Sequence, residues 1–256
     1  MEKPIKLKLA KLNGAPEVFF SIQGEGKNTG TPSVFVRTTL CNLHCIWCDT
    51  DYTWNWTNTK FAHVNDEKPG YKKFEKKAWI SECSVEAVAK IILEFDCRNV
   101  ILTGGEPMLQ QPGLTALMAL LRTTDERFRF ETETNGTLVP TPEFDRAIDQ
   151  YNVSPKLENS GNAPKLREKP KAMAALAQNP KSNFKFVMET PEDLEEILHL
   201  QERYHIAAEK IWLMPEGTSA AQLANRREWL TEICKKHHFR FSDRLHVQIW
   251  GAKKGV

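Results

Sequence analysis

The chain has no long run of one charge, no low-complexity segment and no short-period repeat, and each absence removes a class of protein. Its 35 Lys and Arg stand against 33 Asp and Glu, a net charge of +2, so nothing in it asks for a nucleic-acid backbone. No window is apolar over the ~20 residues that a membrane helix needs. The amino-terminal MEKPIKLKLAKLNGAPEVFF lacks the apolar core of a signal peptide. A cytoplasmic protein is expected, with neither nucleic acid nor membrane among its partners. Without a short repeat, solenoids and arrays are excluded. At 256 residues the chain buries a real core without staples, and one domain over 1–256 is expected.

A fourth clustered thiol is missing too. CNLHCIWC holds Cys41, Cys45 and Cys48 in a Cys-x3-Cys-x2-Cys spacing, too tight for core residues and too odd in number for disulfides. In a reducing compartment the six cysteines are expected as thiols or metal ligands, with Cys83, Cys97 and Cys234 as ordinary lone side chains. Structural zinc wants four ligands. Here His44 or Asp49 would have to complete the set, and the chain has no second Cys-x2-Cys pair. A [4Fe-4S] cube has four irons, so three thiolates leave one iron open to another ligand.

The rest of the chain alternates. Strands are expected at 32–37, 99–103, 127–133, 152–154, 183–189, 210–214 and 244–250. Helices are expected at 84–95 behind Ser84, 112–122, 141–149, 171–178, 190–204 with Thr190 as cap, and 219–238. A polar, tryptophan-bearing insertion at about 53–79 interrupts the order. Strand and helix in strict turn argue for an α/β fold, parallel strands with outer helices curling into a partial or modified (β/α)6-type barrel. Ligands in such folds gather at the carboxyl ends of the strands. The cysteine loop, TGGEP (103–107), ETNGT (133–137), SPK (154–156) and MPEG (214–217) all fall there. Each loop alone is ordinary turn chemistry; together they argue for a site.

The thiol loop followed by Gly-Gly-Glu resembles the radical S-adenosylmethionine superfamily. The wider run EVFFSIQGEGKNTGTPSVFVRTTLCNLHCIWCDT, with LTGGEP, ETNGT, VSPK, MPEG and the ending WGAKKGV, resembles the 7-carboxy-7-deazaguanine synthase family. The insertion is the departure from that pattern. The resemblance implies a lyase that converts 6-carboxy-5,6,7,8-tetrahydropterin to 7-carboxy-7-deazaguanine with loss of ammonia, in queuosine and 7-deazapurine biosynthesis. Its cofactors would be a [4Fe-4S] cluster, S-adenosyl-L-methionine and Mg2+. Its partners would be the small pterin substrate and an electron donor such as flavodoxin or ferredoxin, in a homodimer. A glycyl-radical activase, which shares the thiol loop and Gly-Gly-Glu but would not need the Gln-Gly-Glu-Gly segment, is the alternative.

Carried over residue by residue, the resemblance makes Cys41, Cys45 and Cys48 the cluster ligands and Thr50 the magnesium ligand. It gives the adenosyl cofactor Trp47, Cys48, Asp49, Gly105, Ser154, Pro155, Lys156, Met214, Pro215, Glu216 and Gly217. Gly105 is expected to let the cofactor's amino group approach the backbone. The substrate would receive Ile22, Gln23, Gly24, Glu25, Arg37, Thr103 and Val256. Gln23 and Glu25 are expected to present an amide and a carboxylate to the pterin edge, and Arg37 a planar fork to its carboxylate. Val256 is expected to contact the pterin through its main-chain carboxylate.

Overall fold

The computed structural model describes residues 5–256 of the chain. Its strands are β1 (Lys6–Leu12), β2 (Ala15–Pro16), β3 (Val18–Ile22), β4 (Pro32–Thr38), β5 (Ile80–Ser84), β6 (Asn99–Gly104), β7 (Arg129–Thr134), β8 (Gln150–Val153), β9 (Ser182–Met188), β10 (Ile211–Pro215) and β11 (Arg240–Phe241). They form one sheet in the order β11-β10-β9-β8-β7-β6-β4-β1-β2, with β3 also on β4 and β5 on β1. Every pairing from β4 to β11 is parallel, and those of β1 to β3 and β5 are antiparallel. Among the described residues β11 pairs only with β10, so the sheet is a partial barrel.

Period-2 alternation sorts the two faces of this sheet. Val34, Val36, Val100, Leu102, Phe130, Tyr151, Phe184, Phe186 and Leu213 point to the helices and share one core with Val88, Ile92, Leu117, Leu121, Phe144, Leu176, Ile197 and Leu230. Their neighbours in sequence point the other way. Arg37, Thr103, Glu133 and Lys185 line a cavity of about 780 Å³ on the concave side. Hydrophobic burial on one face therefore aims polar side chains into one space on the other.

Most expected elements form, with three differences. The segment 244–250 is a helix, Leu245–Trp250, and the last strand is the two-residue β11 instead. Its alternation misleads because only Val247 is buried, while Ile249 and Trp250 stay 51% and 36% exposed. Thr190 does not cap the next helix, which begins at Asp193. No side chain caps that helix; the Asp193 carboxylate instead accepts from the Glu189 and Thr190 amides at 2.7 and 3.0 Å, which holds the turn leading into it. Finally, β1, β2, β3 and β5 lie where no strand was expected. KLKLAKL carries the signal, alternating buried Leu7 and Leu9 with exposed lysines.

Candidate active site

Thr38 ends β4, and the chain enters the cysteine loop through Leu40, held at φ 75°. The Gly-Gly-Glu turn after β6 presses against that entry. Gly105 N donates to Thr38 O at 3.1 Å and Glu106 N to Leu40 O at 2.9 Å. A Cβ on Gly105 would stand 2.1 Å from the Leu40 carbonyl oxygen. Gly105 lines the cavity as well, and the cysteine loop by itself already requires a glycine here. Glu106 is fully buried and turned away from the cavity. Its carboxylate accepts from the amides of Met108 and Asn135 and from the Thr134 hydroxyl, tying the ends of β6 and β7 together.

All three clustered thiols line the cavity, and Cys45 is buried. Each sulfur has a donor near it: Leu43 N at 3.4 Å from Cys41, Asn162 Nδ2 at 3.4 Å from Cys45, and the Thr50 hydroxyl at 3.6 Å from Cys48. Burial pushes the three thiols up, Cys45 to about 12, so a bound cation must supply the charge that ionises them. Among the described residues no three His, Cys, Asp or Glu converge on a point where one ion could sit. Three thiols in one loop, each with a hydrogen-bond donor beside it, fit a cluster that takes one thiolate per iron and leaves one iron open.

The segment 52–79 forms a roof over this loop. His63 Nε2 lies 2.8 Å from Cys48 O, and Val64 N donates to Ile46 O at 2.8 Å. Asn65 N donates to His63 Nδ1 at 3.1 Å, which leaves the proton on Nε2, facing the Cys48 carbonyl. Phe61 stacks on His44, with ring centroids 3.4 Å apart. Tyr71, Phe74 and Trp79 pack edge to face beneath, and Tyr71 donates to buried Asp51 at 2.6 Å. Trp54, against His44, Phe61 and His63, and Trp79, against Tyr52 and Phe74, are the packing that holds the roof down.

One wall of the cavity carries Trp47, Asp49, Ser154, Lys156 and the loop Met214, Pro215, Glu216 and Gly217. Pro155 is the expected member that does not face it. Trp47 Nε1 donates to Asn159 O at 3.0 Å, and Lys156 Nζ donates to the hydroxyl and carbonyl oxygens of Ser154 at 2.8 Å. The opposite wall carries Ile22, Gln23, Gly24, Glu25, Arg37, Thr103 and Val256. Here several of the expected residues already have partners within the protein. The Gln23 amide is engaged at both ends, by Glu133 at 3.3 Å and the Glu25 amide at 3.2 Å. Thr103 donates to the other Glu133 oxygen at 2.6 Å. Arg37 Nε is paired with Glu17 at 2.9 Å, and Tyr52 donates to the same carboxylate. Among the described residues the two terminal nitrogens of Arg37 have no partner.

Glu25 is the most heavily paired group. It meets Lys185, Arg244 Nε at 3.0 Å and His246 Nε2 at 3.8 Å. Burial alone would raise its carboxyl, but Lys185, then Arg244 and His246, outweigh it and hold Glu25 well below the usual carboxylate range. Arg244 also donates to Asp49 and, at 2.6 Å, to Gly217 O, so one guanidinium joins both walls. His246 rests on Gly24, where a Cβ would meet its Nδ1 at 2.1 Å. Sequence reasoning missed Glu133, Lys185, Arg244, His246 and His63. Only ETNGT, quoted as a loop, gave any signal of them.

Around Thr50 the donor set is thin. Its hydroxyl has only the Cys48 sulfur near it, Asp49 is paired with Arg244, and Asp51 is bonded to Tyr71. One hydroxyl with no free carboxylate is not a preformed magnesium site.

Residues 35–157 match the Radical SAM superfamily. A 7-carboxy-7-deazaguanine synthase from Pyrobaculum aerophilum is 35% identical over 240 residues, which cover 93% of this chain and 95% of that one. The chain belongs to the 7-carboxy-7-deazaguanine synthase family. A relative of the same name from Halobacterium salinarum is 34% identical, over 91% of this chain and 89% of its own. QueE from Escherichia coli, known from a crystal structure, aligns with a TM-score of 0.65 at 25% identity, covering 94% of this chain and 95% of that one. SuiB from Streptococcus suis shares the fold, with a TM-score of 0.50 at 14% identity over 82% of this chain and 49% of its own. The partial barrel is thus the radical SAM fold, and among the described residues no helix is long and apolar enough to cross a membrane.

Proposed function

We propose that the protein converts 6-carboxy-5,6,7,8-tetrahydropterin to 7-carboxy-7-deazaguanine, releasing ammonia. The observation that carries this reading is the single cavity of about 780 Å³ joining the thiol loop to a wall of buried, oppositely charged side chains. That volume suits a nucleoside cofactor and a small heterocycle side by side. Cys41, Cys45 and Cys48 would hold the cluster, and the wall of Trp47, Asp49, Ser154, Lys156 and 214–217 would seat S-adenosyl-L-methionine. The reduced cluster and its bound cofactor supply the radical that starts the ring contraction.

The chain's own part is recognition, orientation and exclusion of water. Glu25, kept ionised by Lys185 and Arg244, offers an acceptor to pterin N–H groups. The terminal nitrogens of Arg37 offer the fork that a substrate carboxylate needs, with Nε fixed on Glu17. Glu133, braced by Thr103 and Gln23, places a second carboxylate in the cavity. His63 and the roof keep bulk water from the thiol loop. Thr50 would lend one oxygen to a magnesium seated only with substrate, and no step depends on that ion here. A cytoplasmic homodimer, fed by flavodoxin or ferredoxin, rests on the family resemblance.

The test is anaerobic reconstitution with reductant, S-adenosyl-L-methionine and the carboxytetrahydropterin, with the product read by mass. A pterin returned unchanged while the cofactor is cleaved would leave a different radical enzyme, of which a glycyl-radical activase is the disfavoured example.

A further inference from the structure

Residues 60–77 carry six lysines against three carboxylates, a surplus of +3 in a chain whose total is only +2. Lys60, Lys68, Lys72, Lys76 and Lys77 are all exposed. Between them two apolar side chains also face solvent, Phe61 at 41% and Val64 at 54% exposure. These lie on residues that touch the thiol loop. Phe61 stacks on His44, between two of the cysteines, and Val64 N bonds Ile46 O. His63, between them, faces Cys48 O at 2.8 Å. The strip is anchored by Tyr71 on Asp51 and by Phe74 against Trp79, so it is a fixed layer against the thiol loop, and Val64 and Lys68 also reach the rim of the cavity.

A lysine-rich stretch is ordinarily a solvated face. Two features separate this one from that reading: the stretch by itself carries a net +3, and its exposed apolar pair belongs to residues that contact the ligand loop, Phe61 through His44 and Val64 through Ile46. Transient redox complexes are small, with an apolar centre and a charged rim that steers encounter. We propose that residues 60–77 are the docking surface for a small acidic one-electron carrier protein, which delivers its electron through the roof to the centre held by Cys41, Cys45 and Cys48. The proposal rests on the radical-enzyme reading of the site. It gives the insertion a task that the chemistry in the cavity leaves unfilled.

The test uses the anaerobically reconstituted holoenzyme and reduced flavodoxin, with cluster bleaching followed by stopped flow. Lys72→Glu/Lys76→Glu/Lys77→Glu is expected to lower the second-order rate with flavodoxin by about tenfold or more and to flatten its dependence on ionic strength. Bleaching by dithionite should be unchanged, because that small reductant needs no docking. A control with the same charge change elsewhere, Lys165→Glu/Lys169→Glu/Lys171→Glu, should keep the wild-type flavodoxin rate. An unchanged rate in the first variant overturns the proposal, and so does an equal fall in the control, which would trace the effect to net charge. Failure of dithionite to bleach the wild type overturns the reading of the thiol loop itself, and the docking surface with it.

Discussion

On the wall that carries Cys41, Cys45 and Cys48, the groups facing the cavity are held mainly by backbone. On the wall that carries Glu25, Arg37 and Glu133 they are held by buried charge. Gly105 N to Thr38 O, Glu106 N to Leu40 O, Ile46 N to Ser160 O and Val64 N to Ile46 O define the first wall. The second is assembled from partners distant in sequence: Glu25 with Lys185 and Arg244, 160 and 219 residues away, and Gln23 with Glu133, 110 away. A cluster and a nucleoside need fixed spacing and close approach, which peptide groups and glycines provide. A polar heterocycle needs charges that stay charged when water leaves, which only opposite charges provide.

The largest expected effect falls on the first wall. Cys45→Ala should abolish bound iron and sulfide and all cofactor cleavage, while costing the metal-free fold only about 1 kcal/mol for one buried atom. Gly105→Ala should show the reverse balance. Its Cβ would stand 2.1 Å from Leu40 O, and neither backbone can yield without shifting the cysteine loop. A loss of ~3 kcal/mol on urea melts is expected, with iron content reduced but not abolished. Full iron and unchanged stability in Gly105→Ala would show that backbone does not set this wall.

The same contrast explains what could be read from residues alone. Loops after β4, β6, β7, β8 and β10 were legible because turn chemistry and thiol spacing are local signals. Glycine at 105 was legible as a site residue, but its second constraint was not, since sequence shows the missing side chain and not the carbonyl that a side chain would meet. The charged wall was half legible. Glu25 and Arg37 belong to motifs, but Lys185 is one lysine in a strand, and Arg244 opens a segment whose alternation imitates a strand. Nothing local distinguishes them, because their partners arrive only when the sheet curls. The roof was seen as an insertion with tryptophans, and its contact with the Cys48 carbonyl depends on one histidine that no periodicity marks.

A middle-sized effect sharpens the charged side of the comparison. Lys185→Met removes the group that does most to offset the burial of Glu25. About 2 kcal/mol should be lost at pH 7, below the usual cost of breaking a buried pair because Arg244 and His246 remain. The pH dependence follows from the direction of the shift. The wild-type Glu25 carboxyl titrates below its unfolded value, so its contribution is present above the unfolded pKa of about 4.3 and is lost as pH falls through the folded value. The unfolded carboxyl is common to both proteins, so the gap between wild type and variant should hold steady from pH 7 down through pH 4 and close only at lower pH, between their two folded values, on urea melts of the metal-free proteins. A gap that widens toward acid would mean that Glu25 is not held ionised by Lys185.

The smallest effect tests whether the charged wall works as a unit. Thr103 was expected to touch substrate, yet its hydroxyl is spent on Glu133 at 2.6 Å. Thr103→Val keeps the shape and removes that donor, leaving Glu133 with Gln23 alone. A hydrogen bond to a charged acceptor contributes about 1.5 kcal/mol, so kcat/KM for the pterin should fall roughly tenfold. The size alone does not separate a positioning role from direct contact; coupling does. If Thr103 acts through Glu133, then Glu133→Gln already forfeits most of what the hydroxyl provides, and the double variant should fall short of additivity by ~1 kcal/mol. Binding of S-adenosyl-L-methionine, on the backbone-built wall, should be the same in all four proteins. Strict additivity in kcat/KM would return Thr103 to a direct substrate contact and leave Glu133 braced by Gln23 only.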